Sequence, residues 1–253
     1  MKTELLFYLD AYLSKFEAAV DSVRPDGGII LDETAFYYAS AGQPSDKGKL
    51  IRKSDDALVE IGEEKKVDGE VVHYPAAALA PATAASASPP SSTLFSAGDP
   101  VSGELDWERR HRLMRMHTAG HALAAGLFKH HALVTGTQLE AEQSRFDFSV
   151  EQFDRALFDQ IVAETNAEMA AGHEVKTYSL PREEALKMPG MVKLANVLPP
   201  ALTMLRIVEL VGLDTQADGG THVKNTNEVG TIQIVKLDNK GAKNKRIYFS
   251  LKP

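Results

Sequence analysis

Two histidines stand four residues apart in Met114-Arg-Met-His117-Thr-Ala-Gly-His121, and a third follows about a hundred residues later in Asp218-Gly-Gly-Thr-His222-Val. On a helix the first pair projects from one face, about 6 Å apart along the axis. A chain that serves one metal ion with all three imidazoles must bring a distant loop back onto that helix face, which restricts its topology strongly. Gly219 and Gly220, ahead of Thr221, suit a tight turn that presents His222 from a rigid loop. Thr118 occupies the place where the zinc-protease helix motif carries its glutamate base, so the pattern is not that motif.

The chain has no cysteine, so disulfides and thiolate ligands are excluded and any metal is held by nitrogen and oxygen. Its 253 residues, 43% hydrophobic and 25% charged, have the balance of an ordinary globular protein with room for two small domains or one large one. No apolar run nears the roughly 20 residues that span a bilayer. The start, Met1-Lys-Thr-Glu4, does not read as a secretory leader. The expectation is a cytoplasmic protein with no membrane partner. A formal charge of −7 argues against a generic nucleic-acid coat or a DNA-binding role. A local basic patch for RNA is still possible, with Arg109, Arg110, Arg112 and Arg115 as one candidate and Lys236, Lys240, Lys243, Lys245 and Arg246 as the other.

Along the first part, Gly27-Gly28, Gly42, Gly48, Gly62 and Gly69 punctuate short apolar stretches such as Ile29–Phe36 and Val67–Tyr74. This is the texture of a small β-barrel. Residues 76–96 are almost entirely Ala, Pro, Ser and Thr without charge, and read as a flexible insertion. Asp106-Trp107-Glu108 opens a long helix with Leu113, Met116, Gly120, Leu123 and Leu127 at helical spacing. Residues 137–148 alternate as a strand pair. Ser149-Val-Glu-Gln152 has the form of a capping box for a helix bearing Phe153, Leu157, Ile161 and Val162. A third helix is expected from Pro181-Arg-Glu-Glu-Ala185, and strands over Leu205–Val211, Thr226–Val235 and Arg246–Leu251. Without a βαβ rhythm, this part reads as α+β on an antiparallel sheet. The remaining histidines, among them His73, His111, His130, His131 and His173, are expected to be surface or satisfied core residues.

These blocks together resemble the freestanding alanyl-tRNA editing proteins, the AlaX family, which are similar to the editing domain of alanyl-tRNA synthetase. The resemblance rests on Thr34-Ala-Phe-Tyr37 and Gly42-Gln-Pro-Ser-Asp46, then Asp106-Trp-Glu-Arg-Arg110 running into the histidine pair. It continues through Gly136-Thr137, Arg145-Phe-Asp-Phe148, Pro189-Gly-Met-Val-Lys193, Asp218–Val223, Thr226-Asn-Glu-Val-Gly230 and Asn239-Lys-Gly241. Each block is moderately specific; their order and spacing are highly specific. The presence of the barrel-like part implies the two-domain type, with a barrel over residues 1–104 and a zinc-binding editing domain over residues 105–253.

The resemblance implies an ATP-independent hydrolase that removes serine, and in many members glycine, from the acceptor end of mischarged tRNA(Ala). Serine exceeds alanine by one hydroxyl, which an apolar pocket rejects poorly, so a second, hydrolytic site is needed. Carried over by position, His117, His121 and His222 are ligands of Zn2+. Asp218 stands where the synthetase pattern often has cysteine, as a fourth ligand through oxygen or as a partner that orients water or a histidine. Zinc is expected to position the substrate or to polarise a water. Thr137 matches the Ser/Thr position lining the amino-acid pocket, and Thr137 and Asp218 are the candidate catalytic residues. Two departures bear on selectivity. Gly120 replaces a threonine of the synthetase domain, which implies extra room. Tyr38-Ala-Ser-Ala41 replaces a proline and glycine run, which implies a stiffer loop. Two other readings stay open at this point: a metallohydrolase of small esters, and a catalytically inactive tRNA-binding module.

Overall fold

The computed structural model describes residues 2–79, 94–149, 154–188, 191, 202–241 and 244–253. Most of the 76–96 run, residues 150–152 of the expected capping box, Phe153, Lys243, and 189, 190, 192 and 193 of the Pro-Gly-Met-Val-Lys block lie outside them. The chain divides into two units: residues 1–40 with 44–111, and residues 41–43 with 112–253.

The first unit is built on a closed six-stranded barrel. Its strands are β2 (Lys15–Val23), β3 (Ile29–Leu31), β5 (Gly48–Arg52), β6 (Leu58–Val67), β7 (Glu70–Pro75) and β8 (Pro100–Leu105), in the order β2-β3-β7-β6-β5-β8. The barrel strands of the described residues pair antiparallel, as in β6–β7, where Val67 faces Glu70 across the Asp68-Gly69 turn that suits a two-residue hairpin. A short parallel pair, β1 (Glu4–Leu5) with β4 (Glu33–Thr34), stands beside it. Phe16, Val20, Ile29, Leu31, Phe36, Leu50, Ile61 and Val101 form its core. Closure leaves no free sheet edge in the barrel.

Two buried polar groups organise this unit. The guanidinium of Arg110, which is fully buried, donates from Nε to both Asp46 oxygens (2.9 Å each), from Nη1 to Ala11 O (3.0 Å) and from Nη2 to Ala35 O (2.6 Å). Asp46 also accepts from Tyr37 N (2.7 Å). Glu64 lies nearby, and burial, aided by the Asp46 charge, pushes its carboxyl well above the usual carboxylate range. The second group is His73, a satisfied core histidine. A carbonyl only accepts, so Nδ1 must carry the proton that goes to Ile29 O (3.0 Å), and Nε2 accepts from the Thr34 hydroxyl (2.8 Å). Burial lowers its pKa to about 4.

The depressed His73 value gives a pH prediction. Between about 6.5 and 4 the unfolded chain binds a proton that the folded imidazole refuses, so stability falls as pH falls through that window, by about 3 kcal/mol in total. Urea unfolding at pH 7 and pH 4.5 should show this loss in the wild type. The His73→Gln protein should be less stable at pH 7 but should show a correspondingly smaller pH dependence. Equal pH dependence in both proteins would remove His73 as its source.

The second unit is α+β with antiparallel sheets, as its sequence leads one to expect. Helix α1 (Trp107–Lys129) enters it at Arg112. From Met116 to Ala125 every residue of α1 is buried, so this stretch is interior on all sides. A four-stranded sheet has the order β14-β15-β10-β9, formed by β9 (Leu133–Gln138), β10 (Ser144–Ser149), β14 (Thr231–Asn239) and β15 (Lys245–Lys252). Strict alternation buries Phe146 and Phe148 of β10 and Ile247 and Phe249 of β15. A three-stranded sheet has the order β11-β12-β13, from β11 (Val175–Pro181), β12 (Met204–Leu210) and β13 (Asp214–Ala217). Helix α2 (Arg155–Ala170) and the single turn α3 (Arg182–Ala185) complete the unit. No helix among the described residues is long and apolar enough to cross a membrane.

Two local expectations are corrected. Ser149 does not cap α2; it ends β10, where its hydroxyl bonds Leu133 N (3.2 Å), and Asp154 caps the helix by accepting from Ala156 N (2.9 Å). The strand expected over residues 226–235 begins instead at Thr231, because Asn225 and Glu228 form a capping box that folds Thr226–Glu228 into a 3-10 turn.

Candidate metal centre

The centre lies wholly within the second unit. His117 and His121 project from the interior stretch of α1, and the turn after β13 supplies Asp218 and His222. One donor atom from each of the four falls within 4.8 Å of all the others. The three rings are packed against one another, with His117 and His222 centroids 4.4 Å apart and His121 and His222 centroids 4.7 Å apart. Gly220 permits this approach: a Cβ there would lie 2.0 Å from Cε1 of His117.

Each imidazole is held from behind through Nδ1. Nδ1 of His117 donates to Gln43 Oε1 (2.9 Å), Nδ1 of His121 to Asp214 Oδ2 (3.1 Å), and Nδ1 of His222 meets the Thr118 hydroxyl (3.1 Å). The holders are themselves anchored, since Gln216 Nε2 donates to Asp214 Oδ2 (2.8 Å) and Val223 N to Thr118 Oγ1 (3.3 Å). At two of the rings the other nitrogen, Nε2, faces Asp218: 3.5 Å from His117 Nε2 to Oδ1 and 3.2 Å from His222 Nε2 to Oδ2. Gly220 N also donates to Asp218 Oδ2 (2.5 Å).

The electrostatics suit a cation. Burial alone would raise the Asp218 carboxyl, but the His117 charge and hydrogen bonds from His117 and His222 hold it well below the usual carboxylate range. Burial, reinforced by the His117 charge, holds His222 well below the usual imidazole value, so its lone pair is available at neutral pH. Donor atoms about 3.3 Å apart form the edges of a tetrahedron with bonds of about 2.0–2.1 Å; two separations here are 3.2 and 3.5 Å, within a set that spans no more than 4.8 Å. The residues therefore fit a metal ion held by nitrogen and oxygen ligands.

A small, largely apolar pocket adjoins the cluster, lined by His117, His121, Ala41, Thr137, Phe146 and Gln216 among others. Thr137 stands opposite Phe146 across the β9–β10 pair. The extra room expected at Gly120 is absent, because the Phe146 ring fills it; a Cβ on Gly120 would lie 2.5 Å from Cζ. Gly120→Ala is expected to lower stability by about 1–3 kcal/mol through overpacking. An unchanged urea midpoint would show that the ring yields freely. The stiff loop carries a local distortion: Ala41 has φ +50°, a left-handed conformation that costs a residue with a Cβ about 1–2 kcal/mol.

The basic clusters are less open than the sequence suggests. Arg110 is spent on Asp46, Arg112 pairs with Glu142, and Arg115 donates to Val229 O (3.0 and 2.8 Å). Lys245 is buried and donates to Gly241 O (2.5 Å), Arg246 pairs with Asp147, and Lys236 and Lys240 share Asp238. Sequence assigns Gln43, Thr118 and Asp214 no role at the centre, since those roles appear only once the fold brings them behind the rings.

A class follows from residues 205–248, which span Asp218 and His222 and match the family described as "Threonyl and Alanyl tRNA synthetase second additional domain". Across the whole chain the likeness is closer. The alanyl-tRNA editing protein AlaX-M of Methanosarcina acetivorans is 42% identical over 98% of this chain and 99% of its own length. That of Saccharolobus solfataricus is 39% identical over 99% and 100%. The alanine–tRNA ligase of Methanococcus vannielii is 34% identical over 94% of this chain but only 25% of the ligase. The chain belongs to the AlaX-M family of alanyl-tRNA editing proteins.

Proposed function

We propose that the chain is a trans-acting aminoacyl-tRNA deacylase of the cytoplasm. It hydrolyses the ester at the acceptor end of mischarged tRNA(Ala), chiefly seryl-tRNA(Ala) and also glycyl-tRNA(Ala). The observation that carries this reading is the convergence of three imidazoles and the Asp218 carboxylate beside a small pocket bordered by Thr137. In this reading residues 1–104 are the barrel domain and residues 105–253 the editing domain, to whose centre residues 41–43 contribute.

His117, His121, His222 and Asp218 would hold Zn2+ through three nitrogens and one oxygen. When bound, the ion supplies Lewis-acid polarisation to an ester or a water. The chain's own contribution is placement. The buried imidazoles, fixed from behind by Gln43, Asp214 and Thr118, need no reorganisation as charge develops beside them. The Thr137 hydroxyl is offered to the serine side chain, and the Phe146 ring limits the pocket to small amino acids. An aminoacyl ester is intrinsically labile, so orientation of this kind accounts for hydrolysis without a separate protein base.

The test incubates seryl-, glycyl- and alanyl-tRNA(Ala) with the protein, with and without a chelator. Chelator-sensitive release from the first two, with alanyl-tRNA(Ala) spared, is the expected result. Release no faster than in protein-free controls would overturn the reading. Binding without hydrolysis would indicate an inactive tRNA-binding module, and cleavage of free small esters with no preference for tRNA would indicate a general esterase.

A further inference from the structure

We infer that Gln43 is a positioning residue of the metal centre, fixing the tautomer of His117 and tying that helix ligand to the turn that carries His222. The inference rests on the metal-binding reading above. Gln43 is 2% exposed and belongs to the short segment 41–43 that clusters with residues 112–253. Its amide makes three contacts: Oε1 accepts from His117 Nδ1 (2.9 Å) and from Thr221 N (3.2 Å), and Nε2 donates to Thr221 Oγ1 (2.9 Å).

The orientation of that amide is forced. A flipped side chain would set its NH2 against the Thr221 N–H, donor against donor, inside a buried site. Oε1 must therefore face Thr221 N, and it faces His117 at the same time. A carbonyl oxygen only accepts, so Nδ1 of His117 carries a proton, and Nε2, the nitrogen that faces Asp218, is the one left to bind a metal. Gln43 is the partner at Nδ1 among the described residues that selects this tautomer, and with a proton on Nε2 the ring cannot bind a metal through that nitrogen.

The same amide grips Thr221, the residue before His222, so one side chain sets the relation between the helix ligand and the loop ligand. The corresponding holders of His121 and His222, Asp214 and Thr118, lie within the segment 112–253. Gln43 is supplied from 74 positions before His117. Gly42 O, accepting from Leu139 N (3.0 Å), fastens the segment to the end of β9. The short segment 41–43 thus completes the centre.

The experiment uses the full chain with Gln43→Met, which keeps the length and loses the acceptor, and Gln43→Glu, which keeps it. Zinc affinity is read by competition with a chromophoric chelator, with kcat and KM for seryl-tRNA(Ala) alongside. Outer partners of this kind are worth roughly 10- to 100-fold in affinity. Gln43→Met should lose that much, with kcat falling more than KM rises, and Gln43→Glu should recover it to within a few-fold. Wild-type affinity in Gln43→Met, or equal losses in both variants, overturns the inference. A wild type that binds no zinc would instead overturn the metal reading on which it rests. If Gln43→Met fails to fold, long-range 1H–15N spectra of zinc-loaded wild type decide: a proton on Nδ1 of His117 is expected, and its absence overturns the inference.

Discussion

His117→Ala is expected to abolish zinc binding and deacylation together. The substitution takes away one of four converging donors and, with it, the ring against which Gly220 and His222 pack. Losing an outer partner weakens a metal site roughly 10- to 100-fold, and losing a ligand should exceed that range. Gln43 Oε1 also loses one of its two donors. Hydrolysis should drop to the protein-free rate while the barrel, which shares no part of the centre, stays folded. Chelator competition and seryl-tRNA(Ala) deacylation on one preparation check this. A variant that retains both properties would remove His117 from the centre.

The second large effect concerns stability. Arg110→Met should destabilise the protein by about 3–5 kcal/mol, because it leaves the Asp46 carboxylate buried without its counter-charge. The carbonyls of Ala11 and Ala35 lose a donor as well. Glu64, already pushed up by burial and by Asp46, would lose the Arg110 charge that partly opposes the shift, and two acids would share one apolar wall. Restoring charge balance in the double variant Arg110→Met with Asp46→Leu should recover much of the loss, since a well-packed apolar replacement of a buried pair is often neutral. Urea unfolding of the single and double variants checks this; a single variant as stable as wild type would mean the pair contributes nothing.

The first effect traces to a residue that local pattern marks, the second to one whose neighbours along the chain say little about it. The histidine pair and the Asp-Gly-Gly-Thr-His turn were legible because helix periodicity and turn chemistry are local. The barrel was legible from its turn-rich texture for the same reason, and β10 from its alternating phenylalanines. What local pattern could not supply were partners distant in sequence. Gln43 behind His117, Asp214 behind His121 and Phe146 against Gly120 are invisible until strands and helix meet. The capping motif misled in one place and was overlooked in another. Ser149 has a glutamine three positions on but is held in a strand, whereas Asn225 with Glu228 forms the box that the sequence reading took as strand. Arg110 reads as part of a basic stripe because charge is local information and burial is not.

The donor set has a consequence for redox chemistry. Thiolate-ligated zinc sites release their metal when peroxide or an alkylating agent attacks sulfur, since the thiolate is both ligand and nucleophile. Here the position that often holds cysteine carries Asp218, and the chain has no thiol anywhere. Imidazole and carboxylate occupy no rung of the cysteine oxidation ladder, so a centre of this composition keeps its ligands through an oxidative episode that would strip a cysteine-bearing counterpart.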